Sequence, residues 1–296
     1  MSNTKAYLFL FFGMVCFGSA TPVSKLVVDQ FPVFVAGALR VAMAFLVLLP
    51  FVKFAKIKTF KGKDLWLLTG IGIIGVVGFT AFLLYGMKNV SGVTGSIIMS
   101  ATPAITAALS YVFFKDKFTW RKYTALGLAI AGILIMRIFD SGKGDESGTW
   151  WGVLLVALAI ICEAGYTLMG KGLSDDYKPV EIACFSAFIG FIGFLPFGIW
   201  QYDPGLFSEV SGADYTSLIW YGVGTMGLGS VLWYKGVKEV DGSTAAAFMG
   251  VMPVSALVLS YWLLGESFQW IHMLGFTMVF AGVVLIIRAH QKMEEE

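Results

Sequence analysis

The sequence predicts an all-α membrane protein of ten transmembrane helices, arranged as two inverted five-helix repeats. Three observations predict this fold: an apolar composition, an uneven distribution of lysine and arginine, and a match between the two halves of the chain. The 296 residues are 57% hydrophobic and 14% charged, whereas a soluble domain is typically about 25% charged. A soluble protein of this composition would expose large apolar patches, so we expect the chain to lie in a lipid bilayer.

Ten stretches are apolar enough to cross a bilayer as helices, which takes about 20 residues at a rise of about 1.5 Å each. The Gly/Ser/acidic run 140–148 has the composition of a linker and falls at the middle of the chain. We therefore predict two domains, 1–139 and 149–296, joined by this linker. The predicted spans lie near residues 5–28, 32–54, 64–87, 93–114, 119–138, 150–173, 180–200, 215–237, 243–264 and 268–289.

The basic residues test this count of spans. With the N-terminus in the cytoplasm, most of the 21 lysines and arginines fall in cytoplasmic loops, including a cluster of lysines between Lys53 and Lys63. Positive residues are retained on the cytoplasmic side of a membrane, and one miscounted span would invert every later loop. The bias predicts that both termini are cytoplasmic. No targeting segment is recognisable, so we expect a prokaryotic inner membrane.

The two halves of the chain match each other at nearly constant offsets. Pro50 matches Pro196 at an offset of 146, and Pro103 matches Pro253 at an offset of 150. Further pairs at these offsets are Cys16 and Cys162, Thr21 and Thr167, Gly86 and Gly236, and Trp120 and Trp270. Each half contains five predicted spans, and an odd number places the second half upside down relative to the first. Inverted repeats are common in secondary transporters, where the substrate site lies between the repeats.

Glu163 lies near the middle of the sixth predicted span, where the first half has Phe17. A charge at that depth costs about 3 kcal/mol on insertion scales, so we expect the carboxyl group to face other helices or a wet cavity. It either carries a proton or stays ionised and binds a cationic substrate. The alternative is a structural carboxyl group neutralised by a lysine, an arginine or hydroxyl groups. We favour a functional role because ionisable residues within spans generally mark functional sites.

Arg40 and Tyr166 complete the predicted proton- or substrate-binding set. Arg40 lies a third of the way into the second span, where it meets a substrate carboxylate, pairs with Glu163 or bonds helix ends structurally. Tyr166 follows Glu163 by one helical turn. Two mid-span prolines remove backbone hydrogen bonds and free carbonyl groups that can line a cavity. The predicted cavity-lining residues at this level are Met99, Thr102, Pro103, Met249, Met252 and Pro253.

Other conspicuous residues are assigned structural roles. Tyr85, Trp233 and Tyr234 could supply stacking or cation–π faces, but they lie toward the ends of spans, where an interfacial aromatic belt is the commoner explanation. Glu266 and Asp116 follow the ninth and fourth spans and are predicted to cap helices or contact loops. The glycines of the third and eighth spans are predicted to allow close approach of neighbouring helices.

Four motifs of the chain form a recognisable set: the run Phe17-Gly-Ser-Ala-Thr-Pro-Val-Ser-Lys25, Ala38-Leu-Arg40, Ser100-Ala-Thr-Pro103, and Gly250-Val-Met-Pro253 with the later Gly265-Glu266. In these motifs the sequence resembles the EamA-type, ten-helix branch of the drug/metabolite transporter superfamily. The resemblance covers nearly the whole chain and appears in both halves. One departure is Lys115-Asp116, where the first half of the family usually has Gly-Glu.

The resemblance implies export of small metabolites such as amino acids, or of amphipathic cations, by uniport or proton antiport. It also implies that helices 1, 3, 4, 6, 8 and 9 line a central cavity, with helices 5 and 10 at the periphery. These expectations come from the family and not from the composition or spacing of this chain.

We expect a secondary transporter that exports or exchanges a small polar or amphipathic metabolite by alternating access, linked to protons. An uncoupled facilitator of the same solutes is the alternative, and a structural or receptor role gives the inverted duplication no purpose. A membrane-embedded enzyme ranks lowest, because the spans contain neither a His pair nor an Asp pair for catalysis. We expect no cofactor, no metal site and no nucleic-acid partner, and the sequence leaves the oligomeric state open.

Overall fold

A computed structural model describes residues 3–53, 59–114, 120–140, 149–173, 176–208, 210–240 and 242–294. Within these ranges the chain forms α-helices with short connections and no strand. The helices are α1 (Asn3–Gly18), α2 (Ala20–Gln30), α3 (Val33–Leu48), α4 (Lys63–Gly70), α5 (Phe79–Met87), α6 (Gly92–Met99), α7 (Thr102–Phe114), α8 (Trp120–Asp140), α9 (Trp150–Lys171), α10 (Pro179–Gln201), α11 (Gly212–Ile219), α12 (Gly229–Val237), α13 (Gly242–Met249), α14 (Val251–Leu264) and α15 (Trp270–Glu294).

These helices combine into the ten predicted spans. Span 1 is α1 with α2, span 4 is α6 with α7, and span 9 is α13 with α14. Span 3 joins α4 to α5 through a π-helical segment, Ile71–Gly78, and span 8 joins α11 to α12 through a second one, Trp220–Leu228. Spans 2, 5, 6, 7 and 10 are α3, α8, α9, α10 and α15. The ten-helix prediction is confirmed.

Six of these spans are long and apolar enough to cross a membrane by length and composition, and spans 5, 9 and 10 contain shorter apolar helices. Span 8 runs from Gly212 to Val237 and is long enough, but its mean hydropathy is too low because its π-helical segment is rich in glycine and aromatic residues. That segment is packed inside the bundle, where Tyr221 is fully buried, so span 8 needs less apolar surface toward lipid.

Prolines explain why three spans are broken in the middle. The junctions between α1 and α2, α6 and α7, and α13 and α14 each lie two or three residues before a proline, namely Pro22, Pro103 and Pro253. Proline cannot donate a backbone hydrogen bond and its ring crowds the preceding turn. Span 6 has Leu168 where span 1 has Pro22, and α9 accordingly runs unbroken. The sequence prediction of mid-span interruptions at Pro103 and Pro253 is confirmed.

The contacts between spans repeat from one half to the other. Helix α1 packs against α12, and its counterpart α9 packs against α5. Helix α3 packs against its own counterpart α10, and α8 packs against α15 at the edge of the bundle. Each contact therefore has an equivalent in the other repeat, as an inverted duplication requires.

Glycines make these close contacts possible, as predicted. A Cβ atom at Gly75 would lie 2.7 Å from the Tyr166 side chain, and one at Gly222 would lie 2.9 Å from the Arg40 carbonyl oxygen. Both glycines belong to the π-helical segments, so spans 3 and 8 approach their neighbours backbone to backbone.

Contacts between connecting segments define the two ends of the bundle. At the end we call the Thr149 end, the Thr149 amide donates to the Asn89 carbonyl oxygen at 2.9 Å, and the Phe34 amide donates to Gln201 Oε1 at 2.8 Å. At the opposite end, the Asp64 end, the Tyr177 hydroxyl donates to Asp64 Oδ2 at 3.0 Å. Phe34 lies at the start of span 2 whereas Gln201 ends span 7, its counterpart, so the two halves run antiparallel.

The aromatic residues that are most exposed near the ends of spans are not those predicted for the interfacial belt. Tyr85, Trp233 and Tyr234 are half-buried rather than exposed. Tryptophans near the ends of spans are strongly exposed instead, among them Trp66 at the Asp64 end and Trp270 at the Thr149 end. Tryptophan favours the membrane interface because its ring is apolar and its N–H is polar.

The contact between spans 5 and 10 gives a matched test of packing. In Gly132→Ala the new Cβ would lie 2.8 Å from the Gly275 carbonyl oxygen, whereas Gly127, on the same helix, has nothing within 4 Å of a Cβ. We expect Gly132→Ala to lower the free energy of unfolding by about 1–3 kcal/mol and Gly127→Ala to raise it by up to about 1 kcal/mol, since alanine favours the helix. The midpoint temperature of thermal unfolding in detergent measures both, and equal midpoints would contradict the packing of α8 on α15.

Candidate functional site

Glu163 is held inside the bundle by span 4. Its Oε2 atom accepts a hydrogen bond from Thr102 Oγ1 at 3.0 Å. Thr102 is the first residue of α7, directly after the break in span 4. Its hydroxyl oxygen also lies 2.7 Å from the Met99 carbonyl oxygen, and its single proton is donated to one of these two acceptors at a time. The break that precedes Pro103 thus brings to the level of the carboxylate a hydroxyl group and the Met99 carbonyl group, which receives no backbone hydrogen bond from Pro103.

Arg40 is buried with only 6% of its surface exposed, and two other spans contact its guanidinium group. Nη1 donates to Thr80 Oγ1 and to the Tyr221 hydroxyl, both at 3.0 Å. The guanidinium carbon lies 4.2 Å from the Tyr221 ring centroid and 5.6 Å from that of Phe79. These aromatic faces favour the cation but do not neutralise it.

No carboxylate among the described residues forms an ion pair with Arg40. Glu163 is close enough to Arg40 to interact electrostatically, but it bonds Thr102 instead. Within the described part of the chain, Nη1 is the guanidinium atom that donates hydrogen bonds, and Nε is buried without a partner. An unpaired buried donor costs about 1–3 kcal/mol, and more when it is charged.

Tyr166 belongs to a separate group of hydroxyls. Its hydroxyl lies near those of Tyr234 on α12 and Ser186 on α10. Tyr234 was predicted to lie in the interfacial belt, but its ring packs against Leu48 and Cys184 inside the bundle. The structure therefore places Tyr166 one turn from Glu163, as predicted, and turns it toward spans 7 and 8.

The predicted cavity-lining residues are not equally accessible. Met99 and Pro253 are buried, whereas Thr102, Pro103 and Met252 are half-buried. Met249, at the end of α13, is 50% exposed. Of these six residues, the structure brings Thr102 into direct contact with Glu163.

The exposure pattern of α9 shows from which end the site can be reached. Val156 and Ile160 lie on the face of α9 that points toward the bundle interior, and both are fully buried. Glu163 and Thr167 continue this face toward the Asp64 end, and Glu163 is half-buried while Thr167 is exposed. A Cβ at Gly170, one turn further, would meet nothing within 4 Å. The interior face is therefore closed toward the Thr149 end and open toward the Asp64 end.

Spans 4 and 9 show the same difference between the two ends. Their main contact in the described residues is between α6 and α14, at the Thr149 end. There Ser96 and Ser260 are hydrogen-bonded through their hydroxyls at 2.9 Å, and both are fully buried. The Glu266 carboxylate bonds the start of α6, so the prediction that Glu266 caps a helix or contacts a loop is confirmed. Asp116, its predicted counterpart, lies outside the described residues.

The polar residues of the site break the symmetry of the repeats. Arg40 corresponds to Ser186, Glu163 to Phe17 and Thr102 to Met252 at the offsets found in the sequence. Phe17 packs against the backbone of Gly229, with ring atoms 3.1 Å from a Cβ built there. The two halves share a backbone arrangement, whereas the chemistry of the site is divided unequally between them.

Sequence reasoning missed Thr80, Tyr221 and Ser186. Tyr221 corresponds to Ile71 in the first half, and a search for polar residues that have apolar counterparts would have found it. Thr80 corresponds to Ser230 and gives no such signal. No group of three His, Cys, Asp or Glu side chains that could hold a metal ion occurs in the described ranges.

Comparison with known proteins identifies the family. The model of the EamA-like transporter family matches residues 4–138 and again residues 150–288. An uncharacterized transporter of Bacillus subtilis, YetK, is 33% identical, over 97% of this chain and 88% of its own. A probable terminal-alkyne amino-acid exporter of Streptantibioticus cattleyicolor is 23% identical, over 97% and 95% of the two chains. A solved crystal structure with 14% identity has a TM-score of 0.67, covering 98% of this chain and 99% of that one.

The one-sided opening predicts which positions on α9 react with a thiol reagent. In a variant without the native cysteines, we expect Thr167→Cys to react with a membrane-impermeant maleimide added at the Asp64 end. Val156→Cys, on the same face of the same helix, is fully shielded in this conformation and is expected to react much more slowly. Equal labelling rates at the two positions would contradict the opening.

Proposed function

Because the chain belongs to the EamA-like transporter family and is a multi-pass membrane transporter, we propose that it exports or exchanges a small metabolite in a proton-linked cycle. The observation that carries the proposal is the position of Glu163. This carboxylate lies where the closed and open parts of the interior face of α9 meet. A group at this level can be reached from one end and, after the opposite opening, from the other, as alternating access requires.

The open end is proposed to face the cytoplasm. Lys53, Lys61 and Lys63 are exposed at the Asp64 end, and positively charged loops are retained inside. Both termini are then cytoplasmic, in the inner membrane of a prokaryotic cell. An exporter takes up its substrate from the cytoplasm. A conformation that is open toward the cytoplasm therefore suits the start of an export cycle.

Glu163 is proposed to bind the proton and the cationic group of the substrate in turn. A carboxylate with one hydroxyl donor, Thr102, keeps acceptor capacity for an ammonium group. Protonation removes the charge that holds the cation, so the proton and the substrate compete for one site. Competition of this kind is sufficient to exchange a substrate for a proton. Arg40 is the charged group of a neighbouring span that acts on this carboxylate.

Arg40 is proposed to bind a carboxylate of the substrate. A guanidinium group makes two parallel hydrogen bonds to a carboxylate through one edge. The edge formed by Nε and Nη2 has no protein partner among the described residues. Together, Arg40 and Glu163 suit a molecule that carries both an ammonium and a carboxylate group, such as an amino acid. The similarity to a probable amino-acid exporter supports this substrate class.

Tyr166 is proposed to contact the rest of the substrate. Its hydroxyl and those of Tyr234 and Ser186 form a buried group, and Tyr166 follows Glu163 toward the Asp64 end of α9. Hydroxyl groups both donate and accept hydrogen bonds, so this group can bind a neutral polar substituent without selecting for its charge.

Glu163→Gln tests the proton linkage. The amide keeps the size of the side chain and its acceptor oxygen but cannot exchange a proton. In proteoliposomes we expect a pH gradient to accelerate amino-acid flux through the wild type and to have no effect on Glu163→Gln. Asp203→Asn, in the connection between spans 7 and 8, is the control and is expected to behave as the wild type. Flux through the wild type that ignores the gradient would indicate an uncoupled facilitator.

Matched substrate pairs test the role of Arg40. L-Leucine and 3-methylbutylamine, like L-phenylalanine and phenethylamine, differ only by the carboxylate. We expect the wild type to prefer the amino acid of at least one pair and Arg40→Met to lose that preference by about tenfold or more. Lys25→Met is the control, since Lys25 bonds the Met87 carbonyl oxygen outside the site. Thermal shift on the purified proteins measures binding, and an unchanged preference in Arg40→Met would contradict this role.

A further inference from the structure

At the closed Thr149 end, one carboxylate of the second repeat bonds the start of span 4. The two carboxylate oxygens of Glu266 accept hydrogen bonds from the amides of Gly92 and Val93, the latter at 2.8 Å. These amides open α6, and Ser91 caps the next one by accepting from the Thr94 amide at 3.1 Å. The start of span 4 in one repeat is therefore completed by a side chain of the other.

The local geometry is built for this contact. Gly265 ends α14 in a left-handed conformation with φ of 63°, which glycine adopts without a steric penalty. The chain thereby turns back and brings Glu266 to α6. Gly92 has no side chain where a Cβ would lie 2.0 Å from a Leu264 methyl carbon, so the two spans approach closely. A carboxylate at a helix N-terminus also gains from the helix dipole.

A second layer of contacts lies one turn deeper on the same face of α6. Ser96 bonds the Ser260 hydroxyl at 2.9 Å and the Ala256 carbonyl oxygen at 3.2 Å. Both serines are neutral and fully buried. Glu266, in contrast, is half-buried at the end of the bundle, where water can solvate the carboxylate once it leaves α6. The contact between Glu266 and α6 can therefore form and break. A carboxylate surrounded by hydrocarbon could not leave its partners, because nothing there would solvate its charge.

We propose that Glu266 is the latch that holds the Thr149 end closed and that its release from α6 opens the site toward that end. The contact joins the two equivalent helices that separate toward the Asp64 end, so breaking it allows spans 4 and 9 to move apart at the opposite end. The proposal rests on the one-sided opening and not on the identity of the substrate or on proton linkage, and flux measurements on the wild type test those separately.

Cysteine accessibility tests the latch in the full-length protein without its native cysteines. Met99→Cys reports on the Thr149 end, because Met99 lies one turn beyond Ser96 and is buried at 4% exposure. Thr167→Cys reports on the Asp64 end. An impermeant maleimide is applied to each face in turn. The labelling rates are compared between reporter proteins that keep Glu266 and those that carry Glu266→Ala or Glu266→Gln.

We expect Glu266→Ala to raise labelling of Met99→Cys from the Thr149 end by about tenfold, since charge-assisted bonds are lost, and to lower labelling of Thr167→Cys from the Asp64 end. Glu266→Gln keeps one acceptor and is expected to give an intermediate result, which carries the test if the alanine variant does not fold. Asp203 is a carboxylate at the same end whose one side-chain bond among the described residues is from the Gly205 amide, and Asp203→Ala is expected to change neither rate. Unchanged rates, or a rise at both positions, would overturn the latch, because the latter indicates general loosening.

Discussion

The fold depends on the inability of hydrocarbon to solvate charge. A carboxylate and a guanidinium group in the middle of spans must find their partners inside the bundle, and the helices are arranged so that they do. The broken span 4 brings the Thr102 hydroxyl to Glu163, and spans 3 and 8 supply Thr80 and Tyr221 to Arg40. The close glycine contacts serve the same purpose as the polar partners at the centre, because tightly packed spans keep lipid away from the charged side chains.

Much of this architecture was predictable because it follows from strong local rules. Length and hydropathy predicted the spans, basic residues predicted their number, and Pro103 and Pro253 predicted the breaks. The rotation of each helix was harder to predict. In water, a change from apolar to polar residues marks the inner face of a helix, but in lipid both faces are apolar. Tyr234 illustrates the problem, because its position near a span end indicated the interface whereas its ring points inward. Contacts such as Arg40 with Tyr221, 181 residues apart, depend on that rotation.

The duplicated backbone and the unequal side chains serve different purposes. Equivalent spans that pack in equivalent ways give two backbone arrangements of similar energy, which a transporter needs in order to open to either end. A substrate, however, has no such symmetry, and its binding groups need not be repeated. Phe17 fills the space against Gly229 that corresponds to the environment of Glu163. In the proposed site, the first repeat supplies Arg40 and Thr102 and the second supplies Glu163 and Tyr166, so neither repeat holds all of its residues.

The aromatic surroundings of Arg40 have an electrical consequence. A guanidinium group remains ionised at every physiological pH, and the rings of Tyr221 and Phe79 stabilise that charge. With Glu163 ionised the two groups sum to zero, and with Glu163 protonated they sum to one positive charge. The transmembrane voltage contributes about 2.3 kcal/mol per elementary charge per 100 mV. It therefore acts on the movement of the site when Glu163 is protonated and the net charge is positive, but not when Glu163 is ionised and the net charge is zero. Exchange of a net-neutral solute for a proton would be electrogenic, and the cell's membrane potential would add to the pH difference in powering it.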